Sequence, residues 1–222
     1  MKTTPQPPKP ADHQQNDGTL HYVMIADASG SMHGTVEHVR ESINTQILEL
    51  RELPKAWVTV RVFDNRQMTV HDCVRPANAS LLTPEDYDAW GSTALYDAVA
   101  GGLLDASTRI EASGGLGDDD TVVVLVFTDG MENASSKFTA EAFQEVLSSF
   151  MDRPKWHLLF VGSDPEVMDD MKRRNWRTDM MFEVRPGEER DALNVLAREA
   201  REVHRLKKEK SEWRAFNRFK RG

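Results

Sequence analysis

Short apolar runs alternate along the chain with longer stretches in which apolar residues recur every three or four positions. The short runs are typical of strands covered on both faces, and the longer stretches are typical of amphipathic helices. The predicted strands are 23–26, 57–63, 68–74, 122–127, 156–161 and 180–184. The predicted helices are 36–50, 94–112, 138–150 and 165–174. This alternation predicts an α/β fold with a doubly wound, mostly parallel six-stranded sheet and helices on both faces.

One strand is expected to run against the others. Residues 64–67 are polar and join strand 57–63 to strand 68–74. So short a connection allows only a hairpin, which makes 68–74 an antiparallel strand at the edge of the sheet.

The first apolar run ends in an acid, Asp27, which is followed by Ser29 and Ser31 in a turn before the next helix. In open α/β sheets, ligands bind where a strand ends and a helix begins. All these donors are short oxygen groups, and this set suits a hard cation such as Mg2+, with Mn2+ and Ca2+ as further candidates. Taken alone, the same residues also fit an ordinary helix N-cap.

Two further segments could complete one coordination sphere. Thr93 lies in a loop that enters helix 94–112, and Asp129 follows strand 122–127 and precedes Gly130. We expect these segments and the first turn to converge at one edge of the sheet, because parallel strands all end there. The pattern therefore predicts a single metal site.

These segments resemble the metal-ion-dependent adhesion site of von Willebrand factor A domains. The matching residues are Asp27, Ser29, Ser31, Thr93 and Asp129. The resemblance extends over about residues 20–183 and implies a metal with an open position for an Asp or Glu of a protein partner. The chain is also similar to small cytosolic bacterial or phage proteins of this family, such as the tellurite-resistance-associated group. That similarity implies an adaptor or assembly factor, with an AAA+ ATPase as one partner.

Length and composition predict one folded domain with two extensions. The chain has 222 residues, of which 39% are hydrophobic and 29% charged. Residues 1–18 are predicted to form a disordered tail without the apolar core of a signal peptide, residues 19–187 the von Willebrand-like domain, and residues 188–222 a basic helical extension. No run approaches the roughly 18 apolar residues that span a bilayer. The single cysteine, Cys73, fits a reducing compartment, so we expect a cytoplasmic protein without a membrane partner.

The C-terminal extension differs in charge from the rest of the chain. Residues 190–222 contain 11 Lys or Arg and 5 Asp or Glu, a net of +6, whereas the whole chain carries −8. A predicted helix face that packs on the domain consists of Leu193, Leu196, Ala200, Val203 and Leu206. Beyond it, Trp213, Phe216 and Phe219 recur among basic residues in the segment 207–221. The simplest interpretation is a terminal helix with a solvated basic face, and a tail that binds a partner or nucleic acid is the alternative.

Three classes of function compete: a metal-dependent protein-binding module, an enzyme and a nucleic-acid binder. A phosphatase with an aspartyl nucleophile needs a second acid where Ser29 stands, and neither Ser29 nor Ser31 has the Gly-x-Ser-x-Gly context of a hydrolase. A magnesium-dependent hydrolase would have only His33 beside the first turn, which makes it the weaker alternative. Nucleic-acid binding through residues 207–221 would be opposed by the acidic domain. We therefore expect a non-enzymatic protein-binding module, and the sequence does not predict an oligomeric state.

Overall fold

The computed structural model describes residues 18–185 and 187–206, so residues 1–17 of the predicted tail at 1–18 lie outside this part of the chain. The strands are β1 Leu20–Asp27, β2 Ala56–Phe63, β3 Gln67–Val74, β4 Thr121–Phe127, β5 Trp156–Gly162 and β6 Met181–Glu183. The helices are α1 Val36–Leu50, α2 Leu95–Ala112, α3 Ala140–Met151, α4 Pro165–Arg173 and α5 Glu189–Leu206. Three short 3-10 turns occupy Gly30–Gly34, Pro76–Asn78 and Thr178–Met180.

The six strands form one sheet in the order β3-β2-β1-β4-β5-β6. All neighbouring strands are parallel except β2 and β3, which confirms the predicted antiparallel edge. The chain moves from β1 to β2 on one side and later to β4 on the other, so the strand order reverses at β1. Ligands of open α/β sheets bind at the carboxyl ends of the strands beside such a reversal.

The carboxyl ends of the three central strands lie level with one another. Asp27 pairs with Phe63 at the end of β2, and Ala26 pairs with Phe127 at the end of β4. The residues that follow β2 and β4 therefore emerge beside Asp27.

Helices cover both faces of the sheet. The Tyr22 hydroxyl of β1 donates to Gln46 on α1, whereas Ile25 of β1 lies against Gly102 on α2. Residues three apart in a strand point to opposite faces, so α1 and α2 lie on opposite sides. A Cβ atom at Gly102 would lie 2.7 Å from Ile25 Cδ1, and glycine therefore lets α2 approach β1 closely.

Several predicted boundaries move by one to three residues in the structure, and β1, for example, begins at Leu20 rather than at residue 23. Helix α3 begins at Ala140 rather than at Phe138, because Thr139 has extended backbone angles (φ −70°, ψ 168°) and is therefore the N-cap. The Thr139 hydroxyl then caps α3 by accepting from the Ala142 amide. The last strand is shorter than predicted, since Met180 belongs to the preceding 3-10 turn.

Helix α5 packs on α1, with Leu193 and Leu196 buried as predicted. Arg201 on α5 forms an ion pair with Glu49 on α1 at 2.5 Å. The remaining predicted contact side chains, Ala200, Val203 and Leu206, lie outside the described part, as do Trp213, Phe216 and Phe219. Among the described residues no helix is long and apolar enough to cross a membrane.

Candidate metal site at the carboxyl edge of the sheet

Asp27 is the last residue of β1 and is completely buried. Its Oδ1 atom accepts a hydrogen bond of 2.7 Å from the Ser29 amide, and its Oδ2 atom accepts one from the Thr128 hydroxyl. The Tyr87 hydroxyl donates to the Asp27 backbone carbonyl. The carboxylate therefore has a fixed orientation before any ligand arrives.

Burial raises the pKa of Asp27 to about 6, although hydrogen bonds from Thr128 and Ser29 act in the opposite direction. The negative charge of Asp129 raises this pKa further, which shows that the two acids interact electrostatically. A bound cation would stabilise both carboxylates in their charged form.

Three predicted hydroxyl ligands surround one small space above Gly130. A Cβ atom at Gly130 would lie 2.6 Å from Thr93 Oγ1, 3.0 Å from Ser31 Oγ and 3.1 Å from Ser29 Oγ. The two serine hydroxyls are themselves 3.1 Å apart. Glycine leaves this space open, and any other residue would place a carbon atom in it. The structure thus brings together the three separate segments that the sequence pattern linked.

The site is closed on one side and accessible on the other. Asp27, Ser29 and Thr93 are buried, Asp129 is partly buried and Ser31 is exposed. A ligand could therefore approach a bound ion from the side of Ser31.

The segment 88–94, called the second loop here, is fastened to the first turn, residues 28–31. The Trp90 amide donates to the Ala28 carbonyl at 2.8 Å, and the Gly30 amide donates to the Gly91 carbonyl at 3.1 Å. Gly91 has φ +74°, and a Cβ atom there would lie 2.5 Å from Asn65 Oδ1. The backbone conformation therefore favours glycine at this position.

The segment 128–138, called the third loop here, is held against the start of α2. The Thr93 amide donates to Asn133 Oδ1 at 2.9 Å, and the Thr93 carbonyl accepts from the Asn133 amide at 3.0 Å. Glu132 accepts from the amides of Tyr96 and Ser135. Asp97, almost completely buried, accepts from the three amides of residues 136–138. These bonds fix Thr93 relative to Asp129.

Asn133, Glu132 and Asp97 also shape the site, although the sequence pattern did not predict this role. Only Asp97 carried a signal, because acids in the first turn of a helix commonly accept backbone hydrogen bonds.

The donor set fits a hard divalent cation. Two carboxylates balance a charge of +2, and the three hydroxyls add neutral oxygen ligands of the kind that Mg2+ and Mn2+ accept. In the described ranges no group of three or more His, Cys, Asp or Glu side chains could hold a metal. A metal at this edge would therefore depend on the hydroxyls around Gly130.

Solved structures with the same fold include von Willebrand factor A domains, whereas no protein-family model and no curated protein sequence matches the chain. VWA2, an ArnB paralogue from Sulfolobus acidocaldarius, superposes with TM-score 0.55 at 15% identity over 80% of this chain and 44% of its own. The PilB minor pilin from Streptococcus sanguinis gives 0.62 at 11% identity over 88% of this chain and 63% of its own. The von Willebrand domain of the pilus tip protein Mfa5 from Porphyromonas gingivalis gives 0.54 at 9% identity over 82% and 95%. At identities this low, the superpositions show a shared fold alone. This chain spans less than two thirds of the length of VWA2 and of PilB.

Proposed function

We propose that this chain is a metal-dependent protein-binding module. Mg2+ or Mn2+ would be held by the five predicted ligands, some of them through water, and would keep one coordination position for an Asp or Glu of a protein partner. The observation that carries the proposal is the convergence of Ser29, Ser31 and Thr93 hydroxyls on the space above Gly130.

Charge balance supports capture of an acid. The Asp27 and Asp129 carboxylates balance the charge of a divalent ion, and the neutral hydroxyls add no further negative charge, so an anionic oxygen can fill a remaining coordination position. Access from the side of Ser31, which is exposed, gives that anion a route to the ion.

The structural neighbours support a role within a larger assembly. PilB is a minor pilin and Mfa5 is a pilus tip protein. For this chain we propose an adaptor or assembly factor, with the AAA+ ATPase partner and the cytoplasmic setting that the likeness to the tellurite-resistance-associated group implies. The proposed role is binding rather than catalysis.

Titration calorimetry of the full chain with Mg2+ and Mn2+ tests the metal site. We expect binding by the wild type and loss of binding in Asp129→Asn. Asp169→Asn is the matched control, because Asp169 is an exposed acid on α4 that pairs with Lys172. Absence of binding by the folded wild type at millimolar metal would refute the proposal.

A further inference from the structure

Two exposed apolar side chains flank the candidate metal site. Six large hydrophobic residues are exposed in the described part of the chain, and they are Leu48, Met68, Leu81, Trp90, Leu104 and Met131. Trp90 is the most exposed of them at 67% and directly precedes Gly91 of the second loop. Met131, at 36%, directly follows Gly130. Two exposed apolar side chains are therefore carried by the loops that also carry the predicted ligands Thr93 and Asp129.

The position of Trp90 is set by its backbone. Its amide donates to the carbonyl of Ala28, which lies between the ligands Asp27 and Ser29. The carbonyl of the next residue, Gly91, accepts from the Gly30 amide. These two bonds hold the backbone of Trp90 against the first turn, while its side chain stays exposed.

The ring also has a defined orientation. The indole Nε1–H donates to Asp88 Oδ2 at 2.9 Å, and the Ala89 amide donates to Asp88 Oδ1 at 2.9 Å. These hydrogen bonds lower the pKa of the Asp88 carboxyl. An exposed aromatic ring that is already oriented loses little conformational freedom when a partner covers it.

Met131 provides a complementary surface on the other side. Its side chain is unbranched and polarizable, so it can adapt to the shape of an apolar group. Trp and Met are both enriched in protein interfaces, and Trp is enriched among the residues that dominate binding energy.

The charges near Trp90 limit which acidic segments can bind. Glu85, Asp86 and Asp88 lie in the segment just before Trp90, and the positive charge of Arg40 acts on Glu85 and Asp88. One carboxylate can be drawn to the metal, but further acids beside it would face these three carboxylates and be repelled.

We propose that Trp90 and Met131 form an apolar rim around the metal site. The rim selects a partner segment in which a single Asp or Glu stands next to a large apolar or aromatic residue, and it disfavours acidic runs. This inference rests on the proposed function: the metal takes the carboxylate, and the rim recognises its neighbour.

A displayed library of random short peptides, selected on the full chain in Mg2+ and eluted with EDTA, is the test. We expect the eluted peptides to share one acid flanked by a large apolar residue. Fluorescence polarization with a synthetic peptide of that class should show binding at least about tenfold weaker for Trp90→Ser, and weaker binding for Met131→Ser. Leu104→Ser is the matched control, because Leu104 is 41% exposed and lies on α2, nine residues beyond its first residue.

The outcomes separate the two proposals. Peptide binding that is EDTA-sensitive but unchanged in Trp90→Ser overturns the rim and leaves the metal module standing. Eluted peptides that are acidic runs without apolar residues also overturn the rim. Binding that depends on Trp90 but not on metal overturns the proposed function and the metal half of this inference, and recovery of no peptide overturns both. Calorimetry with Mg2+ on Trp90→Ser confirms that any loss of peptide binding is not a loss of the ion.

Discussion

Thr128 donates its hydroxyl hydrogen to the Oδ2 atom of Asp27, joining residues 101 positions apart. The same hydroxyl accepts a hydrogen bond of 3.0 Å from the Gly130 amide. One buried side chain thus links the acid at the end of β1 to the glycine above which the three hydroxyls converge. Because it sets the orientation of Asp27 and the position of Gly130 together, Thr128 is a positioning residue for the proposed ion.

Replacing Thr128 by valine should destabilise the domain and weaken metal binding. Valine keeps the shape of threonine but leaves the buried Asp27 carboxylate without this donor, and a hydrogen bond to a charged group contributes about 1.5 to 3 kcal/mol. Urea denaturation in EDTA measures the first effect and Mg2+ titration the second. Thr128→Ser retains the hydroxyl and should behave nearly as wild type. Equal stability of the valine and wild-type proteins would contradict this role.

Asp129→Asn should lose the stabilisation given by metal without losing stability in EDTA. Asp129 raises the pKa of Asp27, so the two negative charges oppose each other in the metal-free protein. Removing one of these charges should raise the free energy of unfolding by about 1 kcal/mol, which corresponds to a rise in Tm of about 2 to 4 °C for a chain of this size. Thermal melts with and without Mg2+ provide the measurement. A much lower melting temperature of the variant in EDTA would instead identify Asp129 as a structural hydrogen-bonding residue.

The fold was largely predictable because its signals are local. The apolar runs of β1 and β4 stop at an acid or shortly before one, and parallel strands necessarily bring those ends to one edge. The order of the sheet then placed Asp27 and Asp129 beside the strand reversal. What the sequence pattern indicated correctly was therefore the set of strand ends that meet.

The supporting hydrogen bonds could not be predicted in the same way. Glu132 and Asp97 bond to backbone amides 36 to 41 residues away in the chain. Glu132 lies in a loop and Asp97 at the start of a helix, and the residue types around them do not indicate that both bond to the same segment. Their partners are backbone amides, which are the same group whatever the residue type. The start of α3 differs from the prediction for a separate reason, since Thr139 is extended and caps the helix before Ala140.

Glu132→Ala should loosen the third loop and weaken metal binding. Glu132 accepts from the amides of Tyr96, Ala134 and Ser135 and from the Ser135 hydroxyl. Its loss leaves several donors without this acceptor, at a cost of about 2 kcal/mol in the free energy of unfolding. Faster hydrogen exchange at the Ala134 and Ser135 amides would report the loosening directly.

Glu145→Ala is the control for that experiment, because Glu145 is an exposed acid on α3. It should leave the exchange rates and the magnesium affinity of the wild type unchanged. Unchanged exchange in Glu132→Ala would mean that the bonds of Asp97 and Asn133 hold the third loop by themselves.

Acidification should weaken the folded state through two histidines. Burial lowers the pKa of His204 on α5 and of His21 on β1, and each also lies close enough to Asp120 for that acid to raise its pKa in part. The positive charge of His21 lowers the pKa of His204 further. The folded state therefore holds these imidazoles neutral, while the unfolded chain takes up protons near the ordinary histidine pKa of about 6.5.

The sign of the effect follows from proton linkage. Because the unfolded state binds more protons, the contribution of these histidines to the free energy of unfolding is complete above about pH 6.5. It declines as the pH falls below that value. Asp27 acts in the opposite sense, since its pKa is raised to about 6 and its protonation favours the folded state as the pH falls from there towards 4. The histidine effect therefore appears in the window just below about pH 6.5, where comparing a histidine variant with wild type removes the opposing contribution of Asp27.

His204→Gln should reduce the slope of unfolding free energy against pH in that window, because a neutral side chain replaces a group that the unfolded chain protonates first. Urea denaturation at closely spaced pH values in EDTA gives the slope, with His38→Gln on the exposed surface of α1 as the matched control. If the His204→Gln slope equals that of wild type, His204 does not couple the packing of α5 to pH, and the remaining dependence must come from His21. If the slope becomes steeper, the surroundings of His204 favour its charged form, which would contradict burial as the dominant cause.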